Sequence, residues 1–414
     1  MSHTEKSPKT VLGLTVLLTE KRDWIQGKSI GLITNHTGVD ATLQSNYRLF
    51  AEASDCQLSA IFSPEHGFWG SVQDGVAVNS ALTSPKTCED NGRSSPDLIA
   101  KKVFSLYGQS MRPTPEQLEG IDLLIYDMQD VGVRYYTYIS TLLYAMEAAS
   151  DHGVEFIVAD RPNPIGGTTV EGTVLASGFE SFVGIHAIPM RYGLTIGELA
   201  MLLRAERVPS CRLKVAWMQG YERWMWYDDT GLQWVPPSPN MPTLTTATLY
   251  PGLCLFEGTN MSEGRGTTQP FEYIGAPWCD GERWAEMLNA LGLPGVRFRP
   301  VVFTPAPATE STKHAKQTCG GVAIHVTDRE RFHPIETAIH MLTTLTFEYS
   351  DHFAFRTSHF DRLAGNSWLR NALLNGESVD EIQKRWDVEL QSWVDDAKQY
   401  YTYNCQSTHN LSEA

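Results

Sequence analysis

The sequence predicts an α/β protein, with a Rossmann-like domain built on a mostly parallel sheet and a smaller mixed α/β C-terminal domain. In the first half of the chain, short apolar runs typical of buried strands alternate with amphipathic stretches typical of helices. Such alternation implies parallel βαβ units with helices on both faces of the sheet. A length of 414 residues, 42% of them hydrophobic, is typical of two globular domains rather than one.

Four apolar runs predict the strands of the first domain, at residues 29–34, 58–63, 123–128 and 155–160. The amphipathic stretch 138–149 predicts a helix between the last two strands. Sheets of this kind bind ligands at the carboxyl ends of their strands, so the polar residues after each run are the first candidates for a site. These residues are Asn35, Glu65, His66, Asp127, Asp130, Asp160, Arg161 and Asn163.

A proline-rich stretch at residues 235–242 marks the predicted domain boundary. Residues 1–235 then form the Rossmann-like domain with the main catalytic motifs, and residues 236–414 form the smaller domain that closes the cleft. In this second domain residues 320–326 predict a strand. A Ser-x-x-Glu capping box at residues 378–381 opens a predicted helix, which we interpret as structural.

Composition and charge exclude several classes of protein. A formal net charge of -15 argues against a nucleic-acid partner, since phosphate binding needs a basic surface. The seven cysteines form no Cys-x-x-Cys pair, which favours reduced thiols over a disulfide framework or a zinc site. The N-terminus lacks the apolar stretch of a signal peptide, and no run reaches the roughly 18 apolar residues of a membrane span. The sequence therefore predicts a cytoplasmic protein with no membrane partner.

No cofactor or metal is expected. The chain has no Gly-x-Gly-x-x-Gly fingerprint for a dinucleotide. Residues 27–29, Gly-Lys-Ser, look like the end of a phosphate-binding loop, but Arg22 stands where the first glycine of that motif belongs. The histidines do not have the spacing of zinc ligands on a helix.

Glu65 is the best single catalytic candidate. It lies at residues 63–70, Ser-Pro-Glu-His-Gly-Phe-Trp-Gly, where proline and glycine constrain the turn after a strand. The neighbouring Phe68 and Trp69 are expected to exclude water from its carboxyl group, which suits the group to donate a proton at neutral pH. His66 beside it is a candidate for substrate binding. The alternative is that Glu65 caps the following helix or pairs with a cation.

A second polar cluster occupies residues 127–138. It contains Asp127, Asp130, Arg134, Tyr135, Tyr136 and Tyr138. Sugars are held by hydrogen bonds to their hydroxyls and by aromatic faces packed on the ring, so this composition is typical of a saccharide site. The alternative is a helix N-terminus whose acidic residues complement the helix dipole, with the tyrosines in the core.

The loop at residues 160–167 carries Asp160, Arg161 and Asn163 between and beside two prolines. Rigid polar loops at strand ends commonly bind ligands. An internal Asp–Arg pair that pins the loop explains the same residues equally well.

A glycine-rich loop at residues 256–267 carries Glu257, Asn260, Glu263 and Arg265. Glycine lets the backbone approach a ligand closely. Glycoside hydrolysis usually needs two carboxyl groups that flank the scissile bond, and this loop is a candidate source of the second one. The alternative is a flexible interdomain loop with solvated charges.

Six segments, taken in order, resemble one family: the exo-β-N-acetylmuramidases of the NamZ type, also described as DUF1343 or YbbC-like glycoside hydrolases. The resemblance extends over essentially the whole chain. The matching segments are residues 31–39, 63–68, 127–138, 160–164, 190–200 and 257–267.

The resemblance implies a Rossmann-like N-terminal domain, a smaller C-terminal domain and an active-site cleft between them. It also implies release of terminal N-acetylmuramic acid from the non-reducing end of peptidoglycan-derived fragments, with the catalytic glutamate at Glu65. The other matching polar residues, Tyr192 among them, are expected to line the cleft. Some relatives carry an export signal that this sequence does not show, so a small saccharide or recycled muropeptide is the expected substrate.

The mechanism that we infer from this resemblance has Glu65 protonate the glycosidic oxygen. A second carboxylate then activates water, acts as the nucleophile or orients the 2-acetamido group. The candidates for it are Asp127, Asp130, Glu257 and Glu263. Muramic acid also carries a lactyl carboxylate, which a guanidinium binds through paired hydrogen bonds. The candidates for that contact are Arg134, Arg191 and Arg265.

Two other functions remain open. One is a non-catalytic muropeptide- or sugar-binding protein on the same fold. The other is a cell-wall amidase or esterase, although no Gly-x-Ser-x-Gly elbow or cysteine nucleophile motif supports it.

Overall fold

A six-stranded parallel sheet forms the first half of the molecule. The computed structural model describes residues 10–73, 75–76, 102–309 and 312–404. Numbered along the chain, the strands of this sheet are β1 (Ser29–Ile33), β2 (Gln57–Ser63), β3 (Val103–Ser105), β4 (Leu123–Tyr126), β5 (Glu155–Ala159) and β8 (Leu213–Ala216). Their order across the sheet is β3-β2-β1-β4-β5-β8. The predicted α/β class is therefore confirmed.

The apolar runs found in the sequence correspond to β1, β2, β4 and β5, to within two residues at each end. These strands are buried on both faces, which is why they form continuous apolar runs rather than alternating ones. In β4, Leu123 and Ile125 pack into one core, whereas Leu124 and Tyr126 pack into a second core on the other face. From β1 the chain adds strands first on one side (β2, β3) and then on the other (β4, β5, β8), so the strand order reverses between β1 and β4. In parallel sheets ligands bind at such a point.

The remaining strands form two small antiparallel sheets. One pairs β6 (Glu171–Val174) with β7 (Pro189–Arg191). The other contains β9 (Tyr273–Ala276), β10 (Val296–Phe303) and β11 (Cys319–Val326), in the order β10-β11-β9. The predicted strand at 320–326 is β11, so the C-terminal region is mixed α/β as expected.

Helices cover the sheets. They are α1 (Gly13–Thr19), α2 (Asn46–Glu52), α3 (Pro115–Leu118), α4 (Tyr138–Asp151), α5 (Ile196–Glu206), α6 (Leu244–Leu253), α7 (Gly281–Ala290), α8 (Pro334–Glu348), α9 (Thr357–Ala364), α10 (Trp368–Leu374) and α11 (Val379–Ala397). Short 3-10 helices lie at Arg22–Trp24, Tyr227–Thr230, Cys254–Gly258 and Lys398–Tyr400. Within the described ranges, no helix combines the length and the apolar character that crossing a bilayer requires.

Two helices were predicted from the sequence, and both are present. The stretch at 138–149 is α4. The capping box forms at the start of α11, where the Ser378 hydroxyl accepts from the Glu381 amide and the Glu381 carboxylate accepts from the Ser378 amide. Ile382 and Trp386 on its apolar face are buried, which agrees with a structural role for this helix.

One face of the large sheet shares a continuous hydrophobic core with the C-terminal region. Phe62, Tyr126 and Phe156 from the sheet belong to the same cluster as Trp284 and Ile339 from the second half. The division into residues 1–235 and 236–414 stays a prediction.

Asp160, directly after β5, joins the sheet to the end of the chain. Its carboxylate accepts hydrogen bonds from the amides of Arg161 and Gly197, at 3.0 and 2.7 Å, and from the Tyr403 hydroxyl at 2.5 Å. A Cβ on Gly197 would lie 2.7 Å from the carboxyl carbon of Asp160, so only glycine permits this approach. Burial raises the pKa of Asp160 to about 7.

Glu171 in β6 forms a second connection between the two halves. Its Oε1 accepts from the amides of Ile335 and Glu336, at 2.9 and 2.8 Å, in the first turn of α8. It therefore satisfies two of the amides that a helix N-terminus leaves without partners. Burial raises the pKa of this carboxyl group to about 7.

Replacing Tyr403 by phenylalanine should destabilise the fold. The hydroxyl donates to Asp160 and accepts from the Met218 amide at 2.9 Å, so both groups would lose a buried partner. The expected loss of unfolding free energy is about 2–4 kcal/mol, measured by chemical denaturation. Tyr400→Phe, a change in the same segment at a partly exposed tyrosine, is the matched control. Equal losses in the two variants would contradict the proposed connection.

The stability difference between the wild type and Glu171→Gln should depend on pH. The folded-state pKa of about 7 lies above the usual 4.5, so the protonated carboxyl contributes stability that is complete below pH 4.5. This contribution is lost as pH rises through 7. Relative to the variant, the wild type should lose up to about 3 kcal/mol of unfolding free energy between pH 4.5 and 7. Denaturation curves that stay parallel over this range would show that the carboxyl does not titrate as described.

Candidate active site

A cavity of about 360 Å³ lies beside the carboxyl ends of the central strands. Its volume is in the lower part of the range of roughly 300–1,000 Å³ that is usual for small-molecule sites. Its polar lining residues include Glu65, His66, Thr137, Ser238, Asn240, Glu257, Arg265, His359 and Arg362. Its apolar and aromatic lining residues include Tyr107, Met111, Tyr135, Tyr136, Phe182, Val183, Met241, Tyr250, Cys254, Phe271 and Leu363. The cavity therefore combines carboxylates, cations and aromatic faces, contributed by both halves of the chain.

A tight turn after β2 brings Glu65 and His66 to the cavity. His66, Gly67 and Gly70 all have positive φ angles, between 65° and 75°. A Cβ on Gly70 would lie only 1.8 Å from the ring of His36, so glycine is required where the turn packs on the loop after β1. The His66 Nδ1 lies 2.8 Å from the carbonyl oxygen of Val72, which fixes the imidazole ring.

Within the described part of the chain, the hydrogen-bond partners of the Glu65 carboxyl group are neutral. Oε2 accepts a hydrogen bond from the Thr137 hydroxyl at 2.6 Å, and Oε1 accepts from the Gly75 amide at 3.1 Å. Thr137 is the N-cap residue of α4, so Glu65 reaches this helix through a side chain and not through a backbone amide. The side chain is only 6% exposed. Two donors do not saturate a carboxyl group, which leaves capacity for a hydrogen bond to a ligand.

Glu257 faces the same cavity, but a guanidinium and an imidazole lie beside its carboxyl group. Arg265 donates to its Oε1 at 2.7 Å, and the His359 Nε2 lies 3.5 Å from its Oε2. Burial by itself would raise the pKa of Glu257, but Arg265 and then His359 outweigh it and lower the pKa to about 2. Glu257 is therefore an ionised carboxylate at any physiological pH.

Glu263 is held outside the cavity lining. The Lys313 ammonium lies 2.8 Å from its Oε2, and the Arg265 Nε lies 3.4 Å from its Oε1. Lys313 also donates to the carbonyl oxygens of Phe256 and Met261, both at 2.7 Å. The glycine-rich loop is thus tied down by buried charges, and Arg265 bridges its two glutamates.

Asp130 is likewise buried away from the lining. Its Oδ2 accepts from the Gly132 amide at 2.8 Å and from the Tyr192 hydroxyl. Burial raises the pKa of Asp130 to about 6, although both donors act in the other direction. Asp130 and Tyr192 therefore form a buried pair, and neither residue lines the cavity.

The two predicted aspartate–arginine loops are joined to each other. The Arg161 Nε lies 2.6 Å from the Asp127 Oδ1, and Asn46 donates to the other oxygen of Asp127 at 2.7 Å. Neither Asp127 nor Arg161 lines the cavity, and Asp160 also lies outside it. The interpretation of an internal Asp–Arg pair that pins the loop fits this geometry, with Asp127 as the acidic partner.

Two predicted binding residues position the proline-rich stretch instead. Asn35 donates to the Tyr138 hydroxyl at 2.8 Å, and that hydroxyl donates to the carbonyl oxygen of Pro237 at 2.6 Å. The adjacent Ser238 and Asn240 line the cavity. Asn35 and Tyr138 therefore do not line the cavity themselves but position the segment that does.

The other predicted residues outside the lining bind backbone. Arg134 donates to the carbonyl oxygens of Thr173, Ile188 and Leu363, and burial lowers its pKa to about 10. Arg191 donates to a carbonyl oxygen and lies 5.6 Å from the centre of the Trp226 ring. The side-chain amides of Asn163 and Asn260 donate to carbonyl oxygens at 2.9 and 2.7 Å.

The structure brings several of the predicted site residues together in the cavity lining: Glu65, His66, Tyr135, Tyr136, Glu257 and Arg265. Sequence reasoning missed Thr137, Tyr250, His359 and Arg362. His359 and Arg362 both lie on α9, in a region without a local motif. Their three-residue spacing, which places both on one helix face, was the only available signal. No group of three or more His, Cys, Asp or Glu side chains in the described part of the chain is arranged to hold a metal ion.

Comparison with known proteins matches this geometry to one family. The family model described as "Exo-beta-N-acetylmuramidase NamZ, N-terminal" matches residues 30–245, and its C-terminal counterpart matches residues 248–403. A curated relative, the peptidoglycan beta-N-acetylmuramidase NamZ of Bacillus subtilis (strain 168), is 44% identical over 97% of this chain and 93% of its own length.

The fold is also similar to that of solved structures. A DUF1343 family protein from Bacteroides fragilis is 36% identical, with a TM-score of 0.85 over 96% of this chain and 100% of that one. A second DUF1343 protein from the same organism is 29% identical, with a TM-score of 0.75 over 96% of this chain and 99% of that one. Both sequence and fold are therefore similar over nearly the full length.

Proposed function

The chain belongs to the exo-beta-N-acetylmuramidase NamZ family, and we propose that it is a glycosidase that releases terminal N-acetylmuramic acid from the non-reducing end of peptidoglycan-derived fragments. The observation that carries this proposal is that two carboxyl groups share one cavity: Glu65 has uncharged partners, and Glu257 has a cationic one. Glycoside hydrolysis needs one carboxyl group to donate a proton and a second to act as an anion.

Glu65 takes the role of the general acid. Its two hydrogen-bond partners in the described part of the chain, a hydroxyl and an amide, are uncharged, whereas Glu257 is bound by a guanidinium. Its side chain lines the cavity and has hydrogen-bonding capacity to spare, so it can reach the glycosidic oxygen of a bound sugar.

Glu257 takes the role of the second carboxylate. With a pKa of about 2 it is a weak proton acceptor at neutral pH, so its contribution is negative charge. The transition state of glycoside hydrolysis has the character of an oxocarbenium ion, and a fixed carboxylate stabilises that positive charge. Asp127, Asp130 and Glu263 are less suited to this role because each is bound to other protein groups outside the lining.

The size and lining of the cavity support an exo-acting enzyme. A volume of about 360 Å³ lies in the range of small-molecule sites, which suits a single terminal sugar residue. Tyr136, Tyr250 and Phe182 supply aromatic surface on which the apolar side of a sugar ring can pack.

An esterase or amidase that uses a cysteine nucleophile finds little support in this cavity. Cys254 lines it, but burial raises the pKa of this thiol well above its usual value, so the reactive thiolate is scarce. The cytoplasmic location stays a prediction. A cytoplasmic enzyme of this kind would act on recycled wall fragments.

Glu65→Gln should reduce kcat on a chromogenic N-acetylmuramide by a factor of about 100 or more, since glutamine cannot donate the proton. The amide keeps the size of the side chain, so binding of N-acetylmuramic acid should persist. Glu286→Gln, which alters an exposed glutamate on α7, is the matched control and should leave turnover unchanged. Because an aryl leaving group needs little protonation, a disaccharide with a terminal N-acetylmuramic acid is assayed as well, and near-wild-type turnover of both substrates by Glu65→Gln would rule out its role. A wild type that binds the sugar but releases no product would favour the non-catalytic alternative.

Arg265→Gln should change the pH dependence of the reaction. Without the guanidinium, burial should raise the pKa of Glu257 by about 1–3 units, because the opposing charge is gone. The acidic limb of the profile of kcat/KM against pH should therefore move towards neutral pH. Arg265→Lys keeps the charge and should shift the limb less. An unchanged acidic limb in Arg265→Gln would argue against Glu257 as the required anion.

A further inference from the structure

Among the described residues, two arginines line the cavity, and protein carboxylates neutralise only Arg265. Arg265 is held between Glu257, at 2.7 Å, and Glu263, at 3.4 Å. Arg362 is exposed and forms no hydrogen bond or ion pair with any residue in the described part of the chain. Its acidic neighbour Asp361 does not neutralise it, because both oxygens of Asp361 accept from Arg370, at 2.8 and 3.0 Å.

The backbone around Arg362 is held rigidly although its side chain is free. Arg362 lies in the last turn of α9, which ends at Gly365 with a φ of 73°. The Arg134 guanidinium donates to the carbonyl oxygen of Leu363 at 2.8 Å, and the Thr173 hydroxyl donates to that of Ala364 at 2.5 Å. Arg134, a candidate for anion binding on sequence grounds, thus acts by fixing the helix end that carries Arg362.

A cation that has a fixed base, faces a substrate cavity and is unpaired among the described residues is suited to bind an anionic ligand group. We propose that Arg362 is the specificity-determining residue that binds the lactyl carboxylate of the N-acetylmuramic acid unit. This inference rests on the proposed function. The planar guanidinium matches a carboxylate with two parallel hydrogen bonds, and the half-enclosed cavity strengthens them relative to open water.

The test compares three sugars by isothermal titration calorimetry. N-acetylmuramic acid carries the lactyl carboxylate, its methyl ester has nearly the same shape without the charge, and N-acetylglucosamine lacks the lactyl group. Arg362→Gln should raise the Kd of N-acetylmuramic acid about 10–100-fold, the usual effect of losing a charge-assisted hydrogen-bonded pair. The Kd of each neutral sugar should rise less than about threefold, which reflects lost packing alone.

Two further variants make the comparison decisive. Arg362→Lys keeps a positive charge near the C-terminal end of α9 but cannot form the paired hydrogen bonds, so an intermediate Kd is expected. Arg331→Gln, at an exposed arginine outside the cavity lining, should leave all three Kd values unchanged. Thermal melting of each variant checks that the fold is intact, and Arg362→Lys replaces Arg362→Gln if the latter melts early.

The inference is overturned if Arg362→Gln weakens all three sugars equally, or if the wild type does not prefer N-acetylmuramic acid to its methyl ester. These Kd values do not depend on turnover. A wild type that releases nothing from a chromogenic muramide would defeat the proposed function, whereas the calorimetric result would still decide the role of Arg362.

Discussion

A charged group that leaves water must find partners inside the protein, and this requirement organises the polar interior of the molecule. Asp127 and Arg161 neutralise each other, whereas Arg134 is surrounded by carbonyl oxygens. Groups whose hydrogen bonds and charges are fully matched in this way hold loops and helix ends in place. Only groups that can still form a hydrogen bond or an ion pair are free to act on a ligand, and Glu65 and Arg362 are the clearest of them.

The electrostatic difference between the two cavity carboxyl groups arises from the partners that each of them meets. Glu65 comes from the turn after β2 and meets neutral donors. Glu257 comes from the glycine-rich loop of the C-terminal region, which brings its own guanidinium in Arg265. The guanidinium beside Glu257 therefore comes from its own loop, whereas the neutral setting of Glu65 depends in part on Thr137 at the start of α4.

Local sequence was sufficient for the parallel strands and for Glu65, since a doubly buried strand is a continuous apolar run and a polar residue after it falls at the ligand-binding edge of the sheet. Local sequence could not show which of the four candidates for the second carboxylate faces the cavity. Lys313 binds Glu263 and Tyr192 binds Asp130, and each of these partners lies about 50 or more residues away in the chain. His359 and Arg362 were missed for the same reason, because only the folded chain brings α9 to the cavity.

The contact between Asp160 and Tyr403 has a consequence for how the protein is made. The large sheet is complete once Ala216 has been synthesised, but the hydroxyl that binds Asp160 arrives roughly 190 residues later. At translation rates of about 5–20 residues per second, a nascent chain spends roughly 10–40 s with this carboxylate lacking its last partner. During most of this interval the guanidinium of Arg134 has no Leu363 carbonyl to bind. A chain released early therefore lacks both the partners of these groups and half of the core that covers the sheet, and chaperones and proteases act on such incompletely folded chains.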